Sequence, residues 1–332
     1  MRVADMLGSS ETGADRHRRG RWHLNDFSAA GGDPTLQHAA RPRVAAVVVT
    51  RNRSDVLRET LLAIRRQEWP PASVLVVDND SDDGTAAMLG AEFPEVGYHR
   101  LPENLGFGAG LAAGMRRAAG EDVDYFWLLD DDSRPAPITL RRCLRVAQGM
   151  PRFGIIGLSG GTIRWGYLDI HPYVPTPDGR PTEPPLLNHG DFVHLDGAVI
   201  AREAVEALGY PREDYFMMLE DVEYSNRLKR AGWGVAHFEL DENLIVRGNL
   251  GSGGDGRPSP PWRAYYQTRN HLLMALDHRS PLEVAGWLYR QVKFIAATAL
   301  SLDRKAERIG LRLLGAWHAV RRVSGRTIEP GP

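Results

Sequence analysis

Four times before residue 135 the chain repeats one device, a short strand-like run, apolar in three of the four cases, that is followed by a cluster of polar or glycine residues. The runs are Val44 to Val49, Ser73 to Val77, Tyr98 to Leu101 and Tyr125 to Leu129. The stops are Thr50-Arg51-Asn52-Arg53, Asp78-Asn79-Asp80-Ser81-Asp82-Asp83-Gly84-Thr85, Asn104-Leu105-Gly106-Phe107-Gly108-Ala109-Gly110 and Asp130-Asp131-Asp132. Continuous β-branched runs without alternation are the mark of strands buried on both faces, as in a parallel sheet. Helical segments lie between them. Val56, Leu57, Leu61, Leu62 and Ile64 make one apolar face after Ser54, a candidate cap, and Pro70-Pro71 ends that helix. Further helices are expected from Thr85 to about Glu92 and, rich in small residues, up to about Ala119. A β-α-β-α-β-α-β order implies an α/β fold whose sheet is mostly parallel with right-handed crossovers. Ligands of such sheets gather at the carboxyl ends of the strands, where all four polar clusters fall.

The rest is less regular. Residues 1–41 have no sustained apolar period and read as a disordered or loosely packed extension. Asp169 to Asn188 holds six prolines and reads as a surface loop. Val193 to Ala201 is a further strand candidate. Tyr215 to Leu219 runs into Glu220-Asp221 and a helix that closes at Gly232. Gly248 to Pro261 is a Gly/Pro/Ser-rich break, and helical segments follow at Arg263 to Leu276, Pro281 to Leu302 and Arg304 to Val323.

Charge narrows the function classes. Forty-one Lys+Arg against forty-two Asp+Glu give a net charge of −1, so no molecule-wide field draws nucleic acid. An anion must be held locally. One cysteine, Cys143, leaves no intrachain disulfide and no cysteine zinc site, and it reads as a packing residue in a reducing compartment. No uncharged run approaches the ~20 residues of a spanning helix, and Arg18-Arg19 precedes no apolar export segment, so a cytoplasmic protein is expected.

Three adjacent carboxylates at the end of an apolar strand repel one another unless something neutralises them. A divalent cation does so, and oxygen-only surroundings suit Mg²⁺ or Mn²⁺. In an extended D-x-D the outer two residues reach one ion and the middle one points elsewhere. The competing reading is a solvated acidic turn before Ser133 and Pro135. Asp78 suits a nucleobase imide or ribose hydroxyl as acceptor, or else an Asx-turn. The glycines after Asn104 let backbone N–H groups approach a phosphate, although a P-loop's Lys-Ser/Thr end is missing. Glu220-Asp221 follows an aromatic and Met-rich run, where partial burial raises a carboxylate towards a useful general base; first-turn helix acids are the plainer alternative. Trp262, Tyr265 and Tyr266 are core residues or the rim of an acceptor site.

Together these segments resemble a family 2 glycosyltransferase of the GT-A fold, over about Pro42 to Asn249. The matching motifs are Val47 to Arg53, Val76 to Thr85, Asn104 to Gly108, Leu128 to Asp132, and Leu219 to Tyr224 with Arg227-Leu228 and Ala231-Gly232-Trp233. Bacterial rhamnosyltransferases and galactofuranosyltransferases are the most similar group; Tyr265-Tyr266 and Arg269-Asn270-His271-Leu272 resemble a C-terminal element of that group. The resemblance implies a Rossmann-like, mostly parallel sheet flanked by helices. A catalytic domain at 42–250 would divide into a nucleotide-binding half (42–135) and an acceptor half (136–250), before a helical C-terminal region (251–332). Thr50, Arg51, Asn52 and Asp78 would line the nucleotide site with Asn104, Gly106, Asp131 and Arg247. Asp130 and Asp132 would hold Mg²⁺ or Mn²⁺ on the diphosphate, Asp221 would be the base, and Glu220 would orient the acceptor.

One departure concerns the metal: where many relatives have a metal-binding His, this chain has Arg247, which suits a diphosphate instead. His237 is expected to be structural. The implied reaction is inverting transfer from a UDP- or dTDP-sugar to a hydroxyl acceptor, either a lipid-linked glycan or a small-molecule aglycone. From Gly286 to Arg326 nine Lys/Arg face two acids among Trp287, Tyr289, Phe294 and Trp317, a composition fit for peripheral contact with an anionic membrane or for helices packed on the catalytic domain. Two other functions share parts of the pattern. A sugar nucleotidyltransferase would more often carry glycine in the first loop, and a non-catalytic nucleotide-sugar binder has no need of Asp221.

Overall fold

A computed structural model describes residues 21–22, 41–164, 167–170, 187–238, 245–247, 259–300 and 304–331. The strands are β1 (Arg21–Trp22), β2 (Val44–Thr50), β3 (Ser73–Asp78), β4 (Gly97–Arg100), β5 (Tyr125–Asp130), β6 (Ser133–Pro135), β7 (Phe153–Gly157), β8 (Gly160–Arg164), β9 (Tyr167–Ile170), β10 (Leu187–His189), β11 (Phe192–Val193), β12 (Val199–Ala201), β13 (Gly234–Phe238) and β14 (Ile245–Arg247). The helices are α1 (Ser54–Arg65), α2 (Thr85–Glu92), α3 (Phe107–Ala118), α4 (Thr139–Gly149), α5 (Arg202–Leu208), α6 (Glu220–Arg230), α7 (Pro261–Asp277), α8 (Pro281–Leu300) and α9 (Lys305–Val320).

One nine-stranded sheet carries the fold in the order β1-β10-β13-β7-β12-β5-β2-β3-β4. The four runs read from the sequence are its parallel half: β2 pairs in parallel with both β3 and β5, and β3 with β4. All seven residues of β2 are buried, as an uninterrupted β-branched run at the middle of a sheet demands. Helix α3 lies directly on this half. A Cβ on Gly114 would come 2.4 Å from Val47 Cγ1, so its glycine lets helix and strand touch. Cys143 on α4 is buried in the core, as a packing residue.

The second half of the sheet is mixed, because β12 runs antiparallel to both β5 and β7. The expected strand from Val193 to Ala201 is broken: β11 joins β8 and β9 in a small separate sheet, and a turn at 194–198 precedes β12. Alternation could not show this, since both pieces are apolar and the break sits at His194, Asp196 and Gly197. In the N-terminal stretch, Arg21–Trp22 pair with β10, and the remainder of residues 1–40 lies outside the described residues. The proline-rich loop gives way to β9 and β10 at its ends; 171–186 and most of the break after Gly248 lie outside the described residues. Ser54 does not cap α1. Its backbone N–H donates instead to Asp83 Oδ2 at 2.9 Å, and against burial, hydrogen bonds from Thr85 and Ser54 hold the Asp83 carboxyl below its ordinary pKa.

Candidate active site

The parallel strands β2, β3 and β5 end side by side, since Thr50 pairs with Asp78 and Val49 with Asp130. Their terminal polar residues are therefore neighbours by register. The three aspartates then separate. Asp131 turns inward, accepting Thr50 Oγ1 at 2.8 Å and Arg53 Nη1 at 3.0 Å, while Thr60 Oγ1 donates to its carbonyl at 2.6 Å. It is buried and braces the loop after β2. Asp130 and Asp132 remain partly exposed at the strand end.

Burial first, then the carboxylates Asp196, Asp131, Asp132 and Glu220, push Asp130 well above the usual carboxylate range. Asp196 is a fourth acid that the sequence did not single out. From the turn before β12 it accepts the Asp130 N–H at 3.1 Å and the Ser133 hydroxyl. A divalent cation between Asp130 and Asp132 would relieve this crowding, so the donor set fits Mg²⁺ or Mn²⁺. Among the described residues no three His, Cys, Asp or Glu side chains form a closed metal cage. Two carboxylates suffice for an ion that completes its shell with phosphate and water. Arg247 lies on β14, whose register sets it opposite Ser133, one residue past Asp132.

On β3, Asp78 is fully buried. Its Oδ1 accepts Ser81 N–H at 2.8 Å, the Asx-turn alternative, and its Oδ2 accepts the Tyr98 hydroxyl at 2.7 Å. That hydroxyl takes one position a base imide or ribose hydroxyl would use; burial, then Asp78, push the Tyr98 phenol up to about 12. Arg51 and Asn52 are exposed, and Asn52, at φ 54°, accepts Asp82 N–H at 2.8 Å. Asn79 fastens the glycine loop to the same strand end, donating to Gly106 O at 3.1 Å and accepting Leu105 N–H at 3.2 Å. Asn104 accepts Gly106 N–H at 3.1 Å.

Opposite lies the start of α6. Three residues just before it, Phe216, Met218 and Leu219, have φ of 63°, 72° and 71°, a left-handed run that non-glycine residues avoid. Tertiary contacts hold it. Asn270 of α7 donates to the carbonyls of Tyr215, Met217 and Met218 at 3.1, 2.8 and 2.8 Å, and the buried Arg269 guanidinium donates to Tyr215 O at 2.9 Å. The Arg269-Asn270 pair thus acts as a clamp on the loop that presents Glu220 and Asp221. Tyr265 and Tyr266 are fully buried core residues of this clamp. His237, on β13, is buried with Nδ1 2.8 Å from Phe238 O, a structural place.

Glu220 is buried, and its Oε2 has no hydrogen-bond partner among the described residues. Burial, then the neighbouring Asp221, push its pKa up to about 8, which favours the protonated form, able to donate, over the carboxylate. Asp221 Oδ2 lies 2.8 Å from His194 Nδ1. Sequence reasoning missed His194, Asp196 and Asn270 as site residues, because nothing in local spacing marks a residue brought in from another element. Two groups of carboxylates, at the end of β5 and at the start of α6, are therefore neighbours, with Glu220 close enough to Asp130 to help raise its pKa.

Residues 45–209 match the family model described as Glycosyl transferase family 2. The chain is 30% identical over 204 residues to galactofuranosyltransferase GlfT1 of Mycolicibacterium smegmatis (strain ATCC 700084 / mc(2)155), covering 57% of this chain and 66% of that protein, just under two thirds of its length. It is 26% identical over 288 residues to the N-acetylglucosaminyl-diphospho-decaprenol L-rhamnosyltransferase of Mycobacterium tuberculosis, covering 77% and 90% of the two chains. Among solved structures, the mannosyltransferase PcManGT from Pyrobaculum calidifontis in complex with GDP-Man and Mn²⁺ superposes with a TM-score of 0.51 at 18% identity, over 90% of this chain and 86% of that one.

Proposed function

The chain carries a glycosyl transferase family 2 domain, and on that premise we propose that it moves a sugar from a nucleoside-diphosphate donor to a hydroxyl acceptor, with inversion. The observation that carries the reading is the nearness of two acidic groups, Asp130 and Asp132 at the carboxyl end of β5 and Glu220-Asp221 at the start of α6, with Glu220 close enough to help raise the Asp130 pKa. Uridine or thymidine is the proposed base. Thr50, Arg51, Asn52 and Asp78 shape its pocket with the Asn104–Gly106 loop, and Arg247 lies beside the diphosphate.

Asp130 and Asp132 would hold Mg²⁺ or Mn²⁺. Such an ion stabilises charge developing on the departing nucleoside diphosphate. Glu220, kept protonated by burial, donates a hydrogen bond that orients the acceptor. The general base is built on Asp221. The proposed acceptor is a lipid-linked glycan or a small-molecule aglycone, and the rhamnosyltransferase relative, named for a decaprenol-linked substrate, favours the former. A cytoplasmic enzyme resting on the membrane surface through its C-terminal helices suits that acceptor. No described helix is long and apolar enough to cross a membrane.

Nucleotide release from a panel of UDP-, dTDP- and GDP-sugars with Mn²⁺, followed with and without EDTA, tests the reading. Turnover of one nucleotide class, abolished by chelator, is expected. Full turnover in EDTA would remove the cation from the mechanism, and a panel left both unbound and untouched would overturn the function.

A further inference from the structure

Both oxygens of Asp221 are already engaged. Oδ2 is bonded to His194 Nδ1 at 2.8 Å, and Oδ1 accepts the N–H of Val222 at 2.8 Å. Each carboxylate oxygen thus already has one hydrogen-bond partner before any acceptor arrives. The imidazole stands in the opposite situation. A carboxylate at Nδ1 selects the tautomer with the proton there and leaves the Nε2 lone pair outward. No hydrogen bond ties Nε2 to a described residue, and the His194 side chain keeps about a third of its surface exposed, at 35%.

The ring is also held in place. His194 meets the buried Phe192 edge-on at 5.8 Å and 82°, and its backbone N–H donates to Ser159 O at 3.0 Å. Two residues further along the same turn, Asp196 accepts the backbone N–H of Asp130. A single short turn therefore ties the imidazole to α6 on one side and to the end of β5 on the other.

We propose that His194 is the residue that takes the acceptor's proton, with Asp221 orienting its imidazole and stabilising the imidazolium that forms. This rests on the sugar-transfer reading above. In the step, the acceptor O–H proton passes to Nε2 and the freed oxygen pair forms the new bond to the anomeric carbon. The bond from that carbon to the diphosphate oxygen breaks, its electron pair leaving on the nucleoside diphosphate. The imidazolium then returns its proton to solvent. An imidazole is suited to this cycle because one ring nitrogen can take a proton while the other is held by a carboxylate.

The test uses the full chain and whichever panel donor the wild type turns over, with nucleotide release as the readout. His194→Gln and His194→Phe are each expected to lower kcat by about 10²-fold or more while donor Kd and melting temperature stay at the wild-type values. The Phe variant keeps the ring contact with Phe192, so its loss reads chemistry and not packing. Combining His194→Gln with Asp221→Asn is expected to cost no more than the worse single change, because the two act as a unit. Wild-type kcat in both His194 variants alongside a crippled Asp221→Asn would overturn the proposal and leave Asp221 taking the proton directly. A wild type that binds no nucleotide sugar would overturn the transfer reading, and this proposal with it.

Discussion

At Gly106 the backbone stands at φ +90°, and a Cβ there would come 1.9 Å from the carbonyl oxygen of Phe216. The contact is productive as it stands, since Phe107 N–H donates to that same carbonyl at 3.0 Å. It joins the glycine loop to the left-handed segment before α6. Gly106→Ala adds backbone strain of about 1–3 kcal/mol and must also displace Phe216. A melting temperature several degrees lower, with nucleotide release reduced, is the expected outcome by calorimetry and assay; an unchanged melting point and full turnover would show the contact to be soft. Single residues also mark the limits of reading a site from sequence. Asp130, Asp132, Glu220 and Asp221 were legible because adjacent acids at the end of an apolar run are unusual chemistry. The inward turn of Asp131 was legible only in part: alternation separates it from its neighbours, but the Thr50 and Arg53 that receive it lie about eighty positions away. His194 carried no local signal at all. Its importance comes from a partner on α6, and distance along the chain hides such a pairing.

Among the elements, β2 to β5 and α1 to α3 were readable from period and punctuation, whereas the mixed half of the sheet was not, because short strands such as β6, β10 and β11 depend on pairing with distant partners. The C-terminal helices were anticipated as helices, and their roles differ. Helix α7 is internal and clamps the loop before α6. Helix α8 buries Gly286 and Gln291 but leaves Leu282, Leu288, Tyr289, Val292 and Leu300 more than half exposed, a stripe along one side of a 20-residue helix. Lys293 lies on the same side, and Arg304, Lys305 and Arg321 are exposed nearby in sequence. An apolar stripe edged by cations suits the surface of an anionic bilayer, where the helix lies flat. Sedimentation with phosphatidylglycerol-containing vesicles should carry the full chain down, pure phosphatidylcholine vesicles should carry less, and Leu288→Glu with Val292→Glu should abolish pelleting. Equal pelleting of that double variant would remove α8 from membrane contact, and a change from dimer to monomer by light scattering would assign the stripe to a second copy.

For the whole molecule, the net charge of −1 conceals a division of labour. Carboxylates collect at the ends of the parallel strands and at α6, while the Arg-rich tail packs behind them and returns to the cleft. After α9, Gly325 N–H donates to Asp214 O at 2.6 Å and Arg326 Nη1 reaches Asn104 O at 3.4 Å, so the chain's last described stretch straps the catalytic loop to the glycine loop. The C-terminal region is therefore part of the site's scaffold. Its sequence, rich in Arg and aromatic residues, read equally well as membrane-contacting tail or as packing; α7 and the strap are packed, while α8 keeps its exposed apolar stripe. The proposed function makes one demand of these parts, that Asp130 and Asp132 take up a cation to accept a diphosphate. Calorimetric titration of the donor that turns over, with Mn²⁺, into wild type, Asp130→Asn and Asp132→Asn measures that need directly. Each variant is expected to bind at least about tenfold more weakly, some 1.4 kcal/mol, and the wild type in EDTA should weaken alike. Equal affinity in all three proteins, with or without the cation, would contradict the donor site placed at the end of β5.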